Sequence, residues 1–224
     1  MGRRRRGAGV TVKVGVLASG SGSNLQALLD ADLGPAQVAV VIVNVAGAKA
    51  LERAKAAGVD AVFIDHRGHG SREAFDQAVV DALVAHGVEW VVLAGFMRLV
   101  TKVFLGAFEN RVVNIHPSLL PAFPGVKAQA QALAAGVKVT GCTVHLVDDG
   151  MDTGPVLAQV AVPVLPGDDE SKLSQRILQQ EHRVLPRVVR ALAEGRLVQD
   201  GPRRFHLELP GGVASLMSPA GLAS

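Results

Sequence analysis

The sequence predicts an α/β fold: an open, mostly parallel twisted sheet with helices on both faces and an antiparallel extension in its C-terminal part. Three observations predict it. Short Val-rich runs alternate with amphipathic stretches from residue 11 onward. The runs are apolar at nearly every position, as strands covered on both faces should be. Beyond residue 116 the runs lengthen and partly alternate, and only a short loop separates the last two.

Taken in order, the parallel strands are expected at Val12–Ala18, Val38–Val45, Ala61–Asp65, Trp90–Ala94 and Val112–Ile115. Helices fall between them. Leu25, Leu28 and Leu29 mark one over Asn24–Asp30, and Leu51 and Ala54 mark another over Ala48–Ala57. Ser71–Ala85 carries Phe75, Val79, Ala82 and Leu83 on one stripe, with Ser71 as its N-cap. Repeated βαβ order implies right-handed crossovers. Lys138–Val147 and Val156–Val164, joined by the loop Asp148–Pro155, are expected to pair antiparallel. A long helix follows over about Asp168–Glu194, with a kink expected at Pro186. Arg204–Leu209 is the last strand. Residues 11–209 are expected to form a single domain, between a basic disordered tail over 1–10 and a flexible tail over 210–224.

Composition narrows the function classes. With 49% hydrophobic and 19% charged residues in 224, the chain cannot be mostly disordered. A domain of this size buries about 70–75% of its unfolded surface, so its core needs no disulfide or metal. The net charge of +3 comes from Arg3 to Arg6; without them, 19 cations face 20 anions, and no nucleic-acid partner is expected. There is no run of 18 apolar residues, which argues against a membrane span. The stretch after the arginines is broken by Lys13 and enters a Gly/Ser loop, not a signal-peptide cleavage site. A single cysteine, Cys142, allows no internal disulfide and points to the cytoplasm.

Four segments carry candidate chemistry. Ser19-Gly20-Ser21-Gly22-Ser23-Asn24 joins the first strand to the first helix. Free N–H groups at a helix N-terminus favour an anion, so the loop is either a phosphate site or a tight turn without a ligand. It is not a dinucleotide fingerprint, because Leu25 stands at the third glycine position, and no Gly-Lys-Ser/Thr follows for a Walker loop. Asn114 and His116 project to one face of the fifth strand, where Pro117 holds His116 extended. An amide donor and an imidazole at a strand's carboxyl end could stabilise an oxyanion; equally, they could be an ordinary strand-end Asn and a core His. Asp148-Asp149-Gly150-Met151-Asp152-Thr153-Gly154-Pro155 is either a solvated turn or the source of a carboxylate that orients His116. It lacks the spacing of a calcium loop. Glu181 lies on or beside the apolar stripe of the long helix and needs a partner: Arg183, Arg187 or the hydroxyls of a sugar. His66 and His69 are too isolated for a metal site, His145 is a core or pocket histidine, and Trp90 is core.

Together the segments Ala18–Leu28, Leu51–Ala54, Val91–Arg98, Asn114–Pro121, Met151–Pro155 and Gln180–His182 resemble the phosphoribosylglycinamide formyltransferases. The resemblance runs from about residue 11 to 200. It implies a Rossmann-like formyltransferase fold. It implies transfer of a formyl group from 10-formyltetrahydrofolate to the amine of glycinamide ribonucleotide, in de novo purine biosynthesis, with no metal. Asn114, His116 and Asp152 would be catalytic. Gly22, Ser23 and Asn24 would bind the 5′-phosphate, and Glu181 the ribose hydroxyls. Met97, Arg98, Leu99 and Val100 would line the folate pocket together with Asn114. Arg72 and Arg98 are candidates for the glutamate tail, and the backbone from Asp148 to Asp152 would face the pterin.

Two places in the chain depart from the family pattern. Lys127-Ala128-Gln129 stands where relatives often carry His residues, and Leu178 where a Gln or Lys often helps hold the substrate. Formyltetrahydrofolate hydrolase and methionyl-tRNA formyltransferase share the catalytic set but usually carry further domains, for which little chain is expected to be free here. A folate- or nucleotide-binding module without catalysis would not need the Asn/His/Asp arrangement.

Overall fold

The computed structural model describes residues 11–209, so the tails expected over 1–10 and 210–224 lie outside the described residues. The strands are β1 (Val12–Ala18), β2 (Ala36–Val43), β3 (Asp60–Phe63), β4 (Trp90–Leu93), β5 (Val112–His116), β6 (Val139–Leu146), β7 (Val156–Pro163), β8 (Leu197–Gln199) and β9 (Phe205–Leu207). The helices are α1 (Ser23–Asp30), α2 (Lys49–Ala56), α3 (Arg72–Ala85), α4 (Lys102–Ala107), α5 (Ala128–Ala134) and α6 (Glu170–Ala193). Seven strands form one sheet in the order β3-β2-β1-β4-β5-β6-β7, and β8 and β9 form a separate antiparallel hairpin.

The chain starts at the middle of the sheet. It winds outward through β2 and β3, then returns to lay β4 against the other side of β1. All four pairings from β3 to β5 are parallel. The winding therefore reverses between β1 and β4, and a crevice opens at their carboxyl ends. β6 and β7 then continue the sheet antiparallel, as the alternating runs predict. This register sets Asn114 opposite His145 and His116 opposite Thr143.

Strand alternation distributes β1 between two cores. Val14, Val16 and Ala18 pack with Leu25 and Leu28 of α1 and with Ile177, Leu185 and Val188 of α6. Leu17 packs on the other face with Phe75, Val79 and Leu83 of α3 and with Phe104 of α4. Burying each Leu or Phe contributes about 1.5–3 kcal/mol. Gly15 lies against α3, where a Cβ would come within 2.3 Å of Leu83 Cδ2 and force that side chain to shift.

Several boundaries differ from the sequence expectation. β2 begins two residues earlier, at Ala36, and ends before Asn44; β3 is Asp60–Phe63, not Ala61–Asp65. Backbone pairing with β1 carries Gln37 into the strand despite its polarity. α6 continues through the buried Pro186 as one helix. Ser71 caps α3 as expected, its Oγ accepting from Ala74 N at 3.1 Å. No helix among the described residues is long and apolar enough to cross a membrane.

Candidate active site

The glycine loop sits at the carboxyl end of β1, on one side of the crevice. Gly22 takes φ 67° at the N-cap of α1, and no side chain caps that helix. Its missing side chain matters: a Cβ would lie 2.9 Å from the Cα and Cβ of Ala50. Arg53 braces the loop from α2, donating from Nε to Ser21 O (2.8 Å) and from Nη1 to Gln26 Oε1 (2.9 Å). The helix terminus is thus rigidly presented, with uncapped N–H groups beside an arginine, which suits an anion.

Asn24 and Glu181 meet directly behind this loop. Glu181 is 6% exposed, and its Oε2 accepts a 2.7 Å hydrogen bond from Asn24 Nδ2. Burial pushes the Glu181 carboxyl up, opposed only in part by that bond. This bond joins Glu181 to a residue 157 positions away in the chain. Asn24 Oδ1 is buried without a hydrogen-bond partner. Leu178 is partly buried one turn before Glu181 and presents no polar group here.

Across the crevice, the end of β5 carries the polar cluster. His116 is buried, with Nε2 2.9 Å from Phe123 O and Nδ1 3.4 Å from Asp152 Oδ2. Both ring nitrogens face oxygen acceptors, an arrangement that a doubly protonated ring satisfies. Asp152 also accepts from Gly125 N at 2.8 Å, and its backbone takes φ 55°. A left-handed non-glycine residue costs about 1–3 kcal/mol, so the surroundings must hold it there.

His145 belongs to this cluster, a role that strand position alone could not assign. Its Nδ1 lies 2.8 Å from Leu146 O, and its Nε2 lies 3.2 Å from Asn114 Nδ2 and 3.7 Å from Asp152 Oδ1. Burial pushes the His145 pKa down, against the Leu146 carbonyl and Asp152, which favour the charged form. A neutral ring donating from Nδ1 leaves Nε2 as an acceptor, which fixes the amide of Asn114 with its nitrogen toward His145.

The loop after β4 and the turn after β6 flank the cluster. Ser19 ties the first of these to the glycine loop: its Oγ accepts from Met97 N (2.9 Å) and donates to Asn44 Oδ1 (2.7 Å). Met97 is 74% exposed, and Leu99 and Met151 are about half exposed, an apolar rim available to a flat ligand. Arg98 lies over the Phe75 ring, 5.1 Å from its centroid. Arg72 donates to Leu99 O at 2.8 Å, so one of its nitrogens braces this loop. Val100 packs against the α3 side of the core. Asp148 closes its own turn, accepting from Gly150 N (3.2 Å) and Thr153 Oγ1 (2.7 Å). Partial burial raises its pKa, but the bonds from Thr153, Arg203 and Gly150 outweigh it and the net shift is downward. Lys127 takes φ 58° at the start of α5. A groove of about 710 Å³ lies near Lys13, Gln37, Asp60 and His86 at the opposite end of the strands, away from these groups.

The formyl transferase family matches residues 12–189. Phosphoribosylglycinamide formyltransferase of Mycobacterium tuberculosis is 52% identical over 179 residues, covering 80% of this chain and 83% of the relative. This chain belongs to the phosphoribosylglycinamide formyltransferase family. Among solved structures, glycinamide ribonucleotide transformylase 1 from Symbiobacterium toebii superposes on this member with a TM-score of 0.88 at 53% identity, over 92% of this chain and 99% of that one. The trifunctional purine biosynthetic protein adenosine-3 of Drosophila pseudoobscura is 50% identical over 190 residues; this chain spans only 14% of its length.

Proposed function

We propose that this chain transfers a formyl group from 10-formyltetrahydrofolate to the amine of glycinamide ribonucleotide, through residues 11–209 acting as one domain. The observation that carries the reading is the cluster of Asn114, His116 and Asp152 at the carboxyl end of β5, across the crevice from an uncapped helix N-terminus. In this reading Gly22, Ser23 and Asn24 hold the ribonucleotide phosphate, and Glu181 accepts its ribose hydroxyls. Arg98 and the exposed Met97 and Leu99 receive the folate, with Val100 behind them. Arg72 and Asp148 act on the same side by fixing the loops that line it.

The chemistry is direct. The glycinamide amine attacks the formyl carbon, and its lone pair forms the new C–N bond while the carbonyl electrons move to oxygen. The free N–H of Asn114 and an N–H of His116 stabilise that oxyanion; His116 exchanges its bond to Phe123 O to do so. Asp152 balances the charge of the ring and orients it. Collapse of the intermediate breaks the bond to folate N10, which takes up a proton passed from the attacking amine through His116 or a bound water. Asn114, fixed by His145, is held ready before substrate arrives.

The test is an absorbance assay for deformylated folate, run with and without glycinamide ribonucleotide. Product that depends on the ribonucleotide is expected. Equal product without it would mean a hydrolase, and folate binding without turnover in either case would mean a binding module.

A further inference from the structure

The β8–β9 hairpin lies beyond the residues matched by the family, yet it reaches the site. Leu197, Phe205 and Leu207 pack against the main core, and β9 lies beside β7, so the hairpin is an anchored element. Arg203, in the turn between its strands, extends from there to the 148–154 turn. Its Nη2 donates to Asp148 Oδ2 at 2.8 Å and to Thr153 O at 2.6 Å. Those two acceptors stand on either side of Asp152, the residue held in a left-handed conformation opposite His116. The other hydrogen bonds of Asp148, from Gly150 N and Thr153 Oγ1, close the turn on itself but do not fix it to the body of the protein. A guanidinium bridging a carboxylate and a carbonyl does.

We propose that Arg203 is a positioning residue for the formyl-donor half of the site: through it the hairpin clamps the 148–154 turn and so holds Asp152 in register with His116. The proposal rests on the formyl-transfer reading for its kinetic consequences, while the clamp itself is a statement about the turn. Loss of Arg203 should leave the ribonucleotide side untouched, because the glycine loop, Arg53, Asn24 and Glu181 make their bonds elsewhere.

The test compares Arg203→Ala and Arg203→Lys with wild type, by steady-state kinetics in each substrate and by amide hydrogen exchange of residues 147–154. Arg203→Ala should raise the KM for the formyl donor and lower kcat, each about 3- to 10-fold, the scale set by losing one or two charge-assisted bonds at an exposed site. The KM for the ribonucleotide should stay within two-fold, exchange in the turn should rise about ten-fold, and Arg203→Lys should recover part of each effect. Unchanged exchange overturns the clamp. Faster exchange with unchanged kinetics overturns its role in the reaction, and an equal rise in both KM values means general loosening and overturns it too. If wild type shows no ribonucleotide-dependent transfer, the functional reading fails, and the exchange comparison still decides the clamp.

Discussion

Replacing Glu181 by Gln separates the two demands that the proposed function places on that side chain, stability and substrate binding. Glu181 is 6% exposed and accepts one 2.7 Å hydrogen bond from Asn24. Burial raises its pKa above the ordinary 4.5, so in the pH range between the unfolded and folded values the native state holds a proton that the unfolded state has released. The sign follows from linkage: stability is greatest below the unfolded value, falls as pH rises through this window, and levels off above the folded value. One proton of difference gives a slope of about 1.4 kcal/mol per pH unit inside the window. Gln has the same shape, can still accept from Asn24, and does not titrate. The difference in stability between wild type and Glu181→Gln should therefore move in favour of the variant as pH rises above about 4.5, by up to that slope, and then become constant. Urea melts at a series of pH values measure it. Substrate binding should move the other way. A carboxylate can accept both ribose hydroxyls, whereas the amide oxygen replaces only one of its two acceptor atoms; losing one charge-assisted bond costs about 1.5–3 kcal/mol, or roughly 10- to 150-fold in the KM for the ribonucleotide. Parallel stability curves across the whole pH range would refute the buried-charge argument, and an unchanged KM would refute the ribose assignment.

Three further outcomes follow from the geometry. His116→Ala should reduce single-turnover transfer by about 10²- to 10³-fold while folate affinity measured by equilibrium titration stays within a few-fold; a variant nearly as fast as wild type would remove His116 from the chemistry. Gly22→Ala places a Cβ 2.9 Å from Ala50 at φ 67° and should cost about 1–3 kcal/mol, seen as a lower urea midpoint at unchanged slope. His145→Phe removes the acceptor that orients Asn114 and should lower kcat about 2- to 10-fold, with the ribonucleotide KM held; an unaffected kcat would show that Asn114 needs no such guide.

Much of the sheet is legible in the sequence because its central strands are buried on both faces, which leaves continuous apolar runs such as Val12–Ala18. The antiparallel pair β6–β7 is legible for the complementary reason, a loop too short to hold a crossover helix. What escapes is short or long-range. α4 and α5 have six and seven residues, too few for a helical period to declare itself, and α5 is built mainly of Ala and Gln. The single strand expected over Arg204–Leu209 is half of a hairpin whose other half, Leu197–Gln199, is only three residues long. In the site, Asn114, His116 and Asp152 stand out through spacing and resemblance. The place of His145 depends on cross-strand register with Asn114, which no local pattern encodes. Glu181 signals itself as a carboxylate on an apolar stripe, but its bond to Asn24 spans 157 residues and becomes visible only when α1 packs on α6.

The reversal of winding between β1 and β4 has a consequence for how such a protein can change. In the proposed reading, the groups facing the ribonucleotide hang from β1, α1 and α6, and those facing the formyl donor hang from β4, β5 and the turn after β6. Recognition of the acceptor and activation of the donor are thus entrusted to separate stretches of chain that share a border. A new acceptor amine could be accommodated by rewriting the glycine loop and one face of α6, while the donor chemistry is inherited intact.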